Sequence, residues 1–249
     1  MILRPEILRA EVLRAEWTKI RTLRSWLVFP LLTIVVTVGV SVTASSFGGA
    51  DPVHVSLLGV EIGQAVVAAW AVQLLADEFG TGLIRATFIA LPRRLLVVAA
   101  KAALLLSGVL GTALVSVTAS VLAGRALIDD YPALTDGPVL RAAGGAVLYL
   151  MAIALLGLGV AALLRSAVAS TGVVLGLLYL TPMIIDFLID PDWKRNVFKV
   201  MPGTAGLTVL STVDLATLPI QPLAGLGVAV AWAFVTLGVG ATVICARDV

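Results

Sequence analysis

Runs of about twenty apolar residues recur along this chain, and they constrain its fold more than any motif does. A run of that length crosses about 30 Å of hydrocarbon as a helix. Of the 249 residues, 60% are hydrophobic and only 13% are charged. So little charge could not cover a soluble protein, because apolar surface left in water costs about 25 cal/mol per Å². The sequence therefore predicts an all-α polytopic membrane protein. An outer-membrane barrel would instead alternate apolar and polar residues over segments of about ten.

The apolar runs predict six transmembrane helices in a single transmembrane domain over residues 1–249. Between the fourth and fifth spans only a very short turn around Arg165 and Ser166 remains, which predicts a tight antiparallel pair. The predicted spans are Trp26–Thr43, Leu57–Ala76, Leu95–Ala123, Val139–Leu164, Ala167–Leu188 and Leu223–Cys245.

Lys and Arg residues are distributed unequally between the two sides of this topology. With a cytoplasmic N-terminus, 12 of the 17 fall inside and five fall outside. Cytoplasmic loops carry an excess of these two residue types. We therefore expect both termini to be cytoplasmic.

The residues needed for several kinds of chemistry are scarce. One cysteine, Cys245, and one histidine, His54, exclude a disulfide framework and disfavour a Cys/His metal cluster. No GxxxxGK[ST] phosphate loop occurs, so the chain cannot hold ATP phosphates by itself. We expect no catalytic residue, no bound cofactor or metal, and no nucleic-acid partner. A membrane-embedded enzyme would need a cluster of nucleophile, base or metal ligands that this sequence lacks.

The N-terminal stretch MILRPEILRAEVLRAEWTKIRTLRSW predicts an amphipathic helix over residues 1–25. Each of its three glutamates is followed three residues later by a cation, and such pairs are neighbours on a helix. Its apolar residues gather on one broad face, which is typical of a helix in the inner headgroup layer: Val12, Leu13, Trp17, Ile20 and Leu23. Whether it also supports a cytoplasmic partner is left open.

A polar loop from Asp77 to Arg94 separates the second and third spans. Gly80 and Gly82 permit a sharp chain reversal. The residues numbered 83–89 predict two short helical turns that end at Pro92. The loop is either an ordinary polar connection held inside by its arginines or a contact for a soluble partner.

Three segments resemble a known family, the ABC type-2 transporter permeases, which are membrane subunits of ABCG-like, type V exporters. They are EWTKIRTLRSW before the first span, DEFGTGLIRATFIALPRR after the second, followed by Lys101, and MPGTAGLTVLS before the last. The resemblance covers nearly the whole chain. It implies a connecting helix over residues 1–25, a six-span permease domain over residues 26–249, and short external helices before span six.

The resemblance also implies partners and a membrane. The loop after span two would be a cytoplasmic coupling helix that docks on an ATP-binding cassette ATPase, present in two copies, which binds ATP and Mg. A second permease, the same or a related chain, would complete the transporter in the bacterial inner membrane. Arg93 and Arg94 would anchor the start of span three. The coupling residues would be Glu78, Gly80, Thr81, Gly82, Leu83, Arg85 and Thr87.

Spans two and five would line the transport path across the dimer, according to the resemblance. In span two, Gln64 and Gln73 are candidates, but they are about two and a half turns apart and lie near opposite sides of the helix. Glu61, near the outer end, either reaches the headgroups or contacts substrate. A charge at mid-bilayer would cost at least about 2.5–3.5 kcal/mol.

In span five, Gly172 and Gly176 have the spacing that lets two helix backbones approach closely. Asp186 is either part of an outer gate or an interfacial cap. The sequence as a whole predicts a permease subunit that exports a hydrophobic or amphipathic substrate with energy from a separate ATPase. An ion- or proton-coupled secondary transporter is the alternative, and the cargo is left open.

Overall fold

The computed structural model describes residues 25–83, 94–188 and 190–246, without the side chains of Pro191 and Asp192. Of the described residues, 84% are helical and none forms a strand. This confirms the predicted all-helical class. The predicted helix over residues 1–25 and most of the predicted coupling helix, including Arg85, Thr87 and Arg93, lie outside the described residues.

Six of the described helical segments are long and apolar enough to cross a membrane, which confirms the predicted number of spans and indicates a multi-pass membrane protein. The described helices are α1 Ser25–Phe47, α2 Pro52–Leu57, α3 Gly59–Gly80, α4 Arg94–Leu127, α5 Gly137–Leu164, α6 Ala167–Leu175, α7 Thr181–Leu188, α8 Pro191–Phe198, α9 Pro202–Leu207 and α10 Pro222–Ala246. Span one is α1, span two is α2 with α3, span three is α4, span four is α5, span five is α6 with α7, and span six is α10. A π-helix, Gly176–Leu180, joins α6 to α7, and a 3-10 turn, Thr208–Leu210, follows α9.

The two ends of the bundle differ in what they contain. At one end α3 stops, α4 begins, α5 turns into α6, and α10 stops; we name it the Arg165 end. The opposite end holds the α1–α2 and α4–α5 connections and residues 190–221; we name it the Asp51 end.

Span four lies at the centre of the bundle and packs closely against span six. A Cβ atom on Gly159 would lie 2.5 Å from the backbone nitrogen of Leu237. A Cβ atom on Gly240 would lie 2.7 Å from the carbonyl oxygen of Gly159. The two backbones therefore touch at this crossing, and only glycine leaves room for it. Such close approach is how helices associate where lipid removes the hydrophobic driving force.

Span one buries a row of hydroxyl side chains and exposes its large apolar ones. Thr33, Thr37, Ser41 and Ser45 recur every four residues and are its buried residues. The backbone amide of Gly59 donates to the Ser41 hydroxyl at 3.1 Å. Small hydroxyl residues thus face span two, and leucine and valine face outward, as expected of a helix surrounded by lipid.

Short helices precede span six, as the sequence predicts. The segment from Pro202 to Leu210 is buried within the bundle and does not lie on its surface. Gly206 packs directly on the Tyr149 ring, and Gly225 packs on the carbonyl of Ala205. The indole nitrogen of Trp232 donates to the Val200 carbonyl at 2.7 Å. Span six and these short helices therefore form one packed unit.

The π-helix divides span five into two halves. The Thr181 hydroxyl donates to the Gly176 carbonyl at 3.0 Å, and the Thr181 backbone amide donates to the same oxygen. The widened turn therefore keeps its backbone carbonyl bonded, which is required where no water is present. Gly172 and Gly176 have nothing from the described residues within 4 Å of an added Cβ, so neither marks a close helix crossing there.

Candidate functional site

The turn that leaves span two lies exposed at the Arg165 end. Thr81 closes the helix, because its amide and hydroxyl donate to the Asp77 carbonyl at 3.0 Å and 2.8 Å. Gly82 then adopts a φ of 72°, which glycine takes without steric penalty. The predicted docking residues Gly80, Thr81, Gly82 and Leu83 are all exposed, and Leu83 shows 57% of its surface.

Glu78 lies two positions before this exposed turn but points into the bundle. Its Oε1 atom is 2.9 Å from the Lys101 Nζ atom, and the two side chains are only 11% and 2% exposed. Asp77, the preceding residue, is exposed. Because Glu78 faces Lys101 inside this chain, we remove it from the docking surface. Its ion pair instead joins the end of span two to span three.

Further contacts at this end join the corner between spans four and five to spans two and six, and the start of span three to span six. The Arg165 guanidinium lies 5.4 Å from the centre of the Phe79 ring, an attractive cation–π arrangement. The same side chain reaches the Val243 carbonyl at 3.5 Å near the end of span six. Arg94 donates to the Ile244 carbonyl at 3.0 Å. Cations are favoured at the C-terminal end of a helix, where carbonyls point outward.

The turn between spans four and five is as short as the sequence predicts. Arg165 ends α5 with a φ of 55°, and the Ser166 hydroxyl accepts from the Ala169 amide at 3.4 Å as α6 begins. Arg165 therefore has two roles, since it makes the turn and contacts spans two and six. We name the contacts of Glu78, Phe79, Arg94, Lys101 and Arg165 the Arg165-end network.

Sequence reasoning missed the pairing inside this network. Its signal was available: Lys101 is a cation seven residues into an apolar span. A charge in that position faces the bundle interior and pairs with an opposite charge. Glu78 lies within the last turn of span two, at the same end of the bundle, and is the matching carboxylate.

The polar residues of span two lie in three different environments. Gln64 is buried, and its side-chain oxygen accepts a hydrogen bond from the hydroxyl of buried Tyr149. Gln73 is half-buried, and Glu61 is exposed. Gln64 is thus held inside the chain against span four, so we do not propose it as a residue of the transport path.

Span five presents its own predicted residues outward. Gly172 is exposed and Gly176 is half-buried, and no described atom outside the helix lies within 4 Å of a Cβ added to either. Asp186 forms an ion pair with Lys194 of α8, and both side chains stay partly exposed. The pair joins span five to the short helices, while a gating role for Asp186 stays a prediction.

At the Asp51 end one carboxylate joins segments far apart in the chain. Asp51 accepts hydrogen bonds from the amides of His54, Thr212 and Val213 and from the Thr212 hydroxyl. Burial by itself would raise the pKa of Asp51, but these hydrogen bonds outweigh it and lower the pKa below 3.8. Arg141 adds a second link at this end, donating to the Ser211 carbonyl at 2.7 Å.

Tyr131 completes the Asp51 end. Its hydroxyl lies 3.0 Å from the Ser56 hydroxyl. Burial raises the pKa of Tyr131 above 10.0, and the nearby charge of Asp51 raises it further, against the opposing hydrogen bond of Ser56. The tyrosine therefore stays protonated at neutral pH and ties the α4–α5 connection to span two.

Within the described residues, no group of three or more His, Cys, Asp or Glu side chains could hold a metal ion. No protein-family model matches this chain, and no curated protein matches its sequence. A proposal for its function therefore rests on the arrangement of its own residues and on the resemblance described above.

Proposed function

We propose that this chain is the membrane subunit of an ATP-driven exporter, similar to the ABC type-2 permeases. Two copies of a separate ATP-binding cassette ATPase hydrolyse ATP and dock at the Arg165 end. The observation that carries this proposal is the direct continuity between an exposed turn and a buried network. Thr81 to Leu83 are exposed, and the two residues before Gly80 contact Lys101 and Arg165.

This continuity supports a coupling role in a simple mechanical way. A displacement of the turn moves Glu78, which is paired with Lys101 of span three. It also moves Phe79, which contacts Arg165 at the corner between spans four and five. Arg94 and Arg165 carry the contact on to the end of span six. A docked ATPase that moves the loop would therefore move four helix ends together. In this proposal the docking residues are Gly80 to Leu83 with Arg85 and Thr87.

The distribution of charge supports a cytoplasmic Arg165 end. Twelve of the 17 Lys and Arg residues belong to the segments on that side in the predicted topology. The positive-inside rule assigns such segments to the cytoplasm. ATP is then available on the side where the loop is exposed, as the proposal requires.

The outward face of span five supports a second permease. Gly172 and Gly176 have open space around an added Cβ within the described part of the chain, and helices in lipid associate by close backbone approach at such small residues. We propose that spans two and five of two permeases, identical or related, face one another there and enclose the path. The short helices at the Asp51 end would close that path on the outer side, with Asp186 and Lys194 at its rim.

The test is ATPase binding by matched surface variants. The tagged chain is co-expressed with a candidate ATP-binding cassette ATPase from the same genome, chosen because the two co-purify when the permease is unmodified. Leu83→Ser combined with Arg85→Ala should weaken co-purification while leaving the permease inserted. Val168→Ser is the control, because Val168 is 86% exposed near the same end but lies outside the loop.

Two results would count against the proposal. Full retention of the ATPase by the Leu83/Arg85 double variant would remove the loop as the docking site. Transport driven by a pH jump in vesicles that hold this chain alone would remove the need for an ATPase and favour an ion-coupled carrier.

A further inference from the structure

Glu61 is a carboxylate inside a membrane span. It lies in the first turn of α3, nine residues after Pro52, where span two begins at the Asp51 end. Span four gives its depth. Gln64, about one turn further along α3, contacts Tyr149, which lies twelve residues or about 18 Å from Gly137 along the uninterrupted α5. Glu61 is therefore well below the rim formed by the connecting segments.

The Glu61 side chain is exposed and has no neutralising partner in the described part of the chain. No lysine or arginine there forms an ion pair with it. This contrasts with Glu78 and Asp186, which are each paired with a lysine. Charged side chains at membrane depth are costly and mark substrate or ion pathways when they are retained. Glu61 thus carries a charge that nothing in the described fold uses.

The surroundings of Glu61 combine an aromatic ring with aliphatic side chains. The Tyr179 hydroxyl, in the π-helix of span five, donates to the backbone carbonyl of Glu61, which keeps the two residues adjacent. Ile62 and Leu180 are exposed beside them. A cation is attracted both by a carboxylate and by the face of an aromatic ring. Apolar substituents on that cation would contact the aliphatic side chains.

We propose that Glu61 and Tyr179 form a recognition site for organic cations with apolar substituents, such as quaternary ammonium or phosphonium compounds. A role of this site in selecting cargo rests on the proposed function, whereas binding of the cation to the site does not depend on it. The same ammonium chemistry has two sources, a free amphipathic cation and a lipid headgroup. The site is built from two spans of one chain, and its cation preference follows from the charge of Glu61.

The experiment measures equilibrium binding of radiolabelled tetraphenylphosphonium to the purified full chain in nanodiscs of phosphatidylglycerol, with empty discs subtracted. Tetraphenylborate, which has the same shape and the opposite charge, is the competitor control. Glu61→Gln should weaken phosphonium binding about tenfold or more, equivalent to about 1.4 kcal/mol. Asp130→Asn is the matched control, because that carboxylate is exposed but lies in the α4–α5 connection, outside spans two and five; binding by this variant should be unchanged.

A charge-reversal variant protects the test from a folding artefact. Glu61→Lys should lose phosphonium binding and gain tetraphenylborate binding, which an unfolded protein would not do. The proposal is overturned if Glu61→Gln binds phosphonium as tightly as the unmodified chain. Equal weakening by Asp130→Asn, or equally tight binding of tetraphenylborate by the unmodified chain, would also overturn it.

Lipid composition separates the two sources of the cation. If phosphatidylethanolamine in the discs competes with phosphonium in the unmodified chain but not in Glu61→Gln, the headgroup occupies the site. If it does not compete, the site selects free cations. Both readouts use the chain without an ATPase, so they are independent of the proposed export. Binding that depends on Glu61, without ATP-driven transport, would refute only the proposed export. ATP-driven transport of the cation that Glu61→Gln leaves unchanged would refute only the recognition site.

Discussion

Asp51 joins the connection between spans one and two to residues more than 160 positions away, so its removal should destabilise the Asp51 end. The perturbation is Asp51→Asn, which keeps the shape but leaves one oxygen where the carboxylate has two. Oδ1 accepts from the His54 amide and the Thr212 hydroxyl, and Oδ2 accepts from the Thr212 and Val213 amides. Whichever way the new amide turns, at least one backbone N–H loses its acceptor.

The magnitude follows from those bonds. A hydrogen bond to a charged group contributes about 1.5–3 kcal/mol, and a neutral one about 0.5–1.5 kcal/mol. Asp51 is only half-buried, so we take values near the lower ends. The lost bond then contributes about 1.5 kcal/mol and each of the three weakened bonds about 1 kcal/mol, so the loss is about 4–5 kcal/mol. For a chain of this size, 1 kcal/mol corresponds to roughly 2–4 °C, so the unfolding midpoint should fall by about 8–20 °C.

The effect should depend on pH in one direction. The pKa of Asp51 is lowered in the folded protein, so the unfolded chain binds the proton more readily. The stabilisation by Asp51 is therefore complete well above the unfolded pKa of about 3.9 and is lost as the pH falls through the folded pKa. Thermal unfolding in detergent, followed by tryptophan fluorescence at pH 7 and near pH 3, measures this. The gap between the unmodified chain and Asp51→Asn should narrow at the lower pH.

Asp214→Asn is the control for that measurement. Asp214 is exposed in the same segment and has a φ of 51°, a conformation that asparagine also tolerates. Its carboxylate accepts no hydrogen bond within the described residues, so the variant should change the midpoint by less than about 2 °C. An Asp51→Asn protein that melts like the unmodified chain at pH 7, or a gap that is the same at both pH values, would refute the reasoning.

Three shorter predictions concern packing and assembly. Lys101→Met should destabilise the chain by about 3 kcal/mol in thermal unfolding, and adding Glu78→Gln should recover part of that loss, because breaking a buried ion pair from one side costs more than replacing both partners; no recovery would contradict the pairing. Gly240→Val should destabilise strongly, since its Cβ would meet the Gly159 carbonyl, whereas Gly238→Val, with open space around it, should be tolerated. Gly172→Leu should leave the monomer's melting unchanged but reduce cross-linked dimer in membranes; an unaltered dimer yield would move the interface elsewhere.

The spans were predictable because a helix that crosses the hydrocarbon layer needs about twenty apolar residues, and such runs can be read directly from a sequence. Span five begins and ends at the predicted residues, Ala167 and Leu188. Span two extends beyond its predicted ends, from Pro52 to Gly80, because polar residues near the rim continue a helix without penalty. Hydropathy locates the middle of a span well and its ends less well.

The facing of individual residues was not predictable in the same way. Successive residues of a helix point about 100° apart, so Asp77 is exposed while Glu78 is buried. A polar run therefore predicts a loop near a span without saying which carboxylate turns inward. The links Asp51–Thr212 and Gln64–Tyr149 join distant positions, and single-sequence patterns carry no signal for such pairs. The row of hydroxyls in span one, in contrast, had a four-residue spacing that could have predicted its buried face.

The π-helix has a consequence for how span five tolerates change in its length. A π-turn holds one residue more than the α-helical turn it replaces, and one residue corresponds to a rotation of about 100°. In the π-turn the Thr181 amide bonds to the carbonyl five residues back, so the extra residue is absorbed within the turn. Deleting a single residue between Gly176 and Leu180 would therefore restore a regular helix while Gly172 and Asp186, on opposite sides of this point, keep their present neighbours. The same deletion in α6 or α7, where the turns are already α-helical, would instead rotate one half of the span by that angle relative to the other. Span five thus tolerates the loss of one residue at this turn, a change that evolution can make or reverse in a single step.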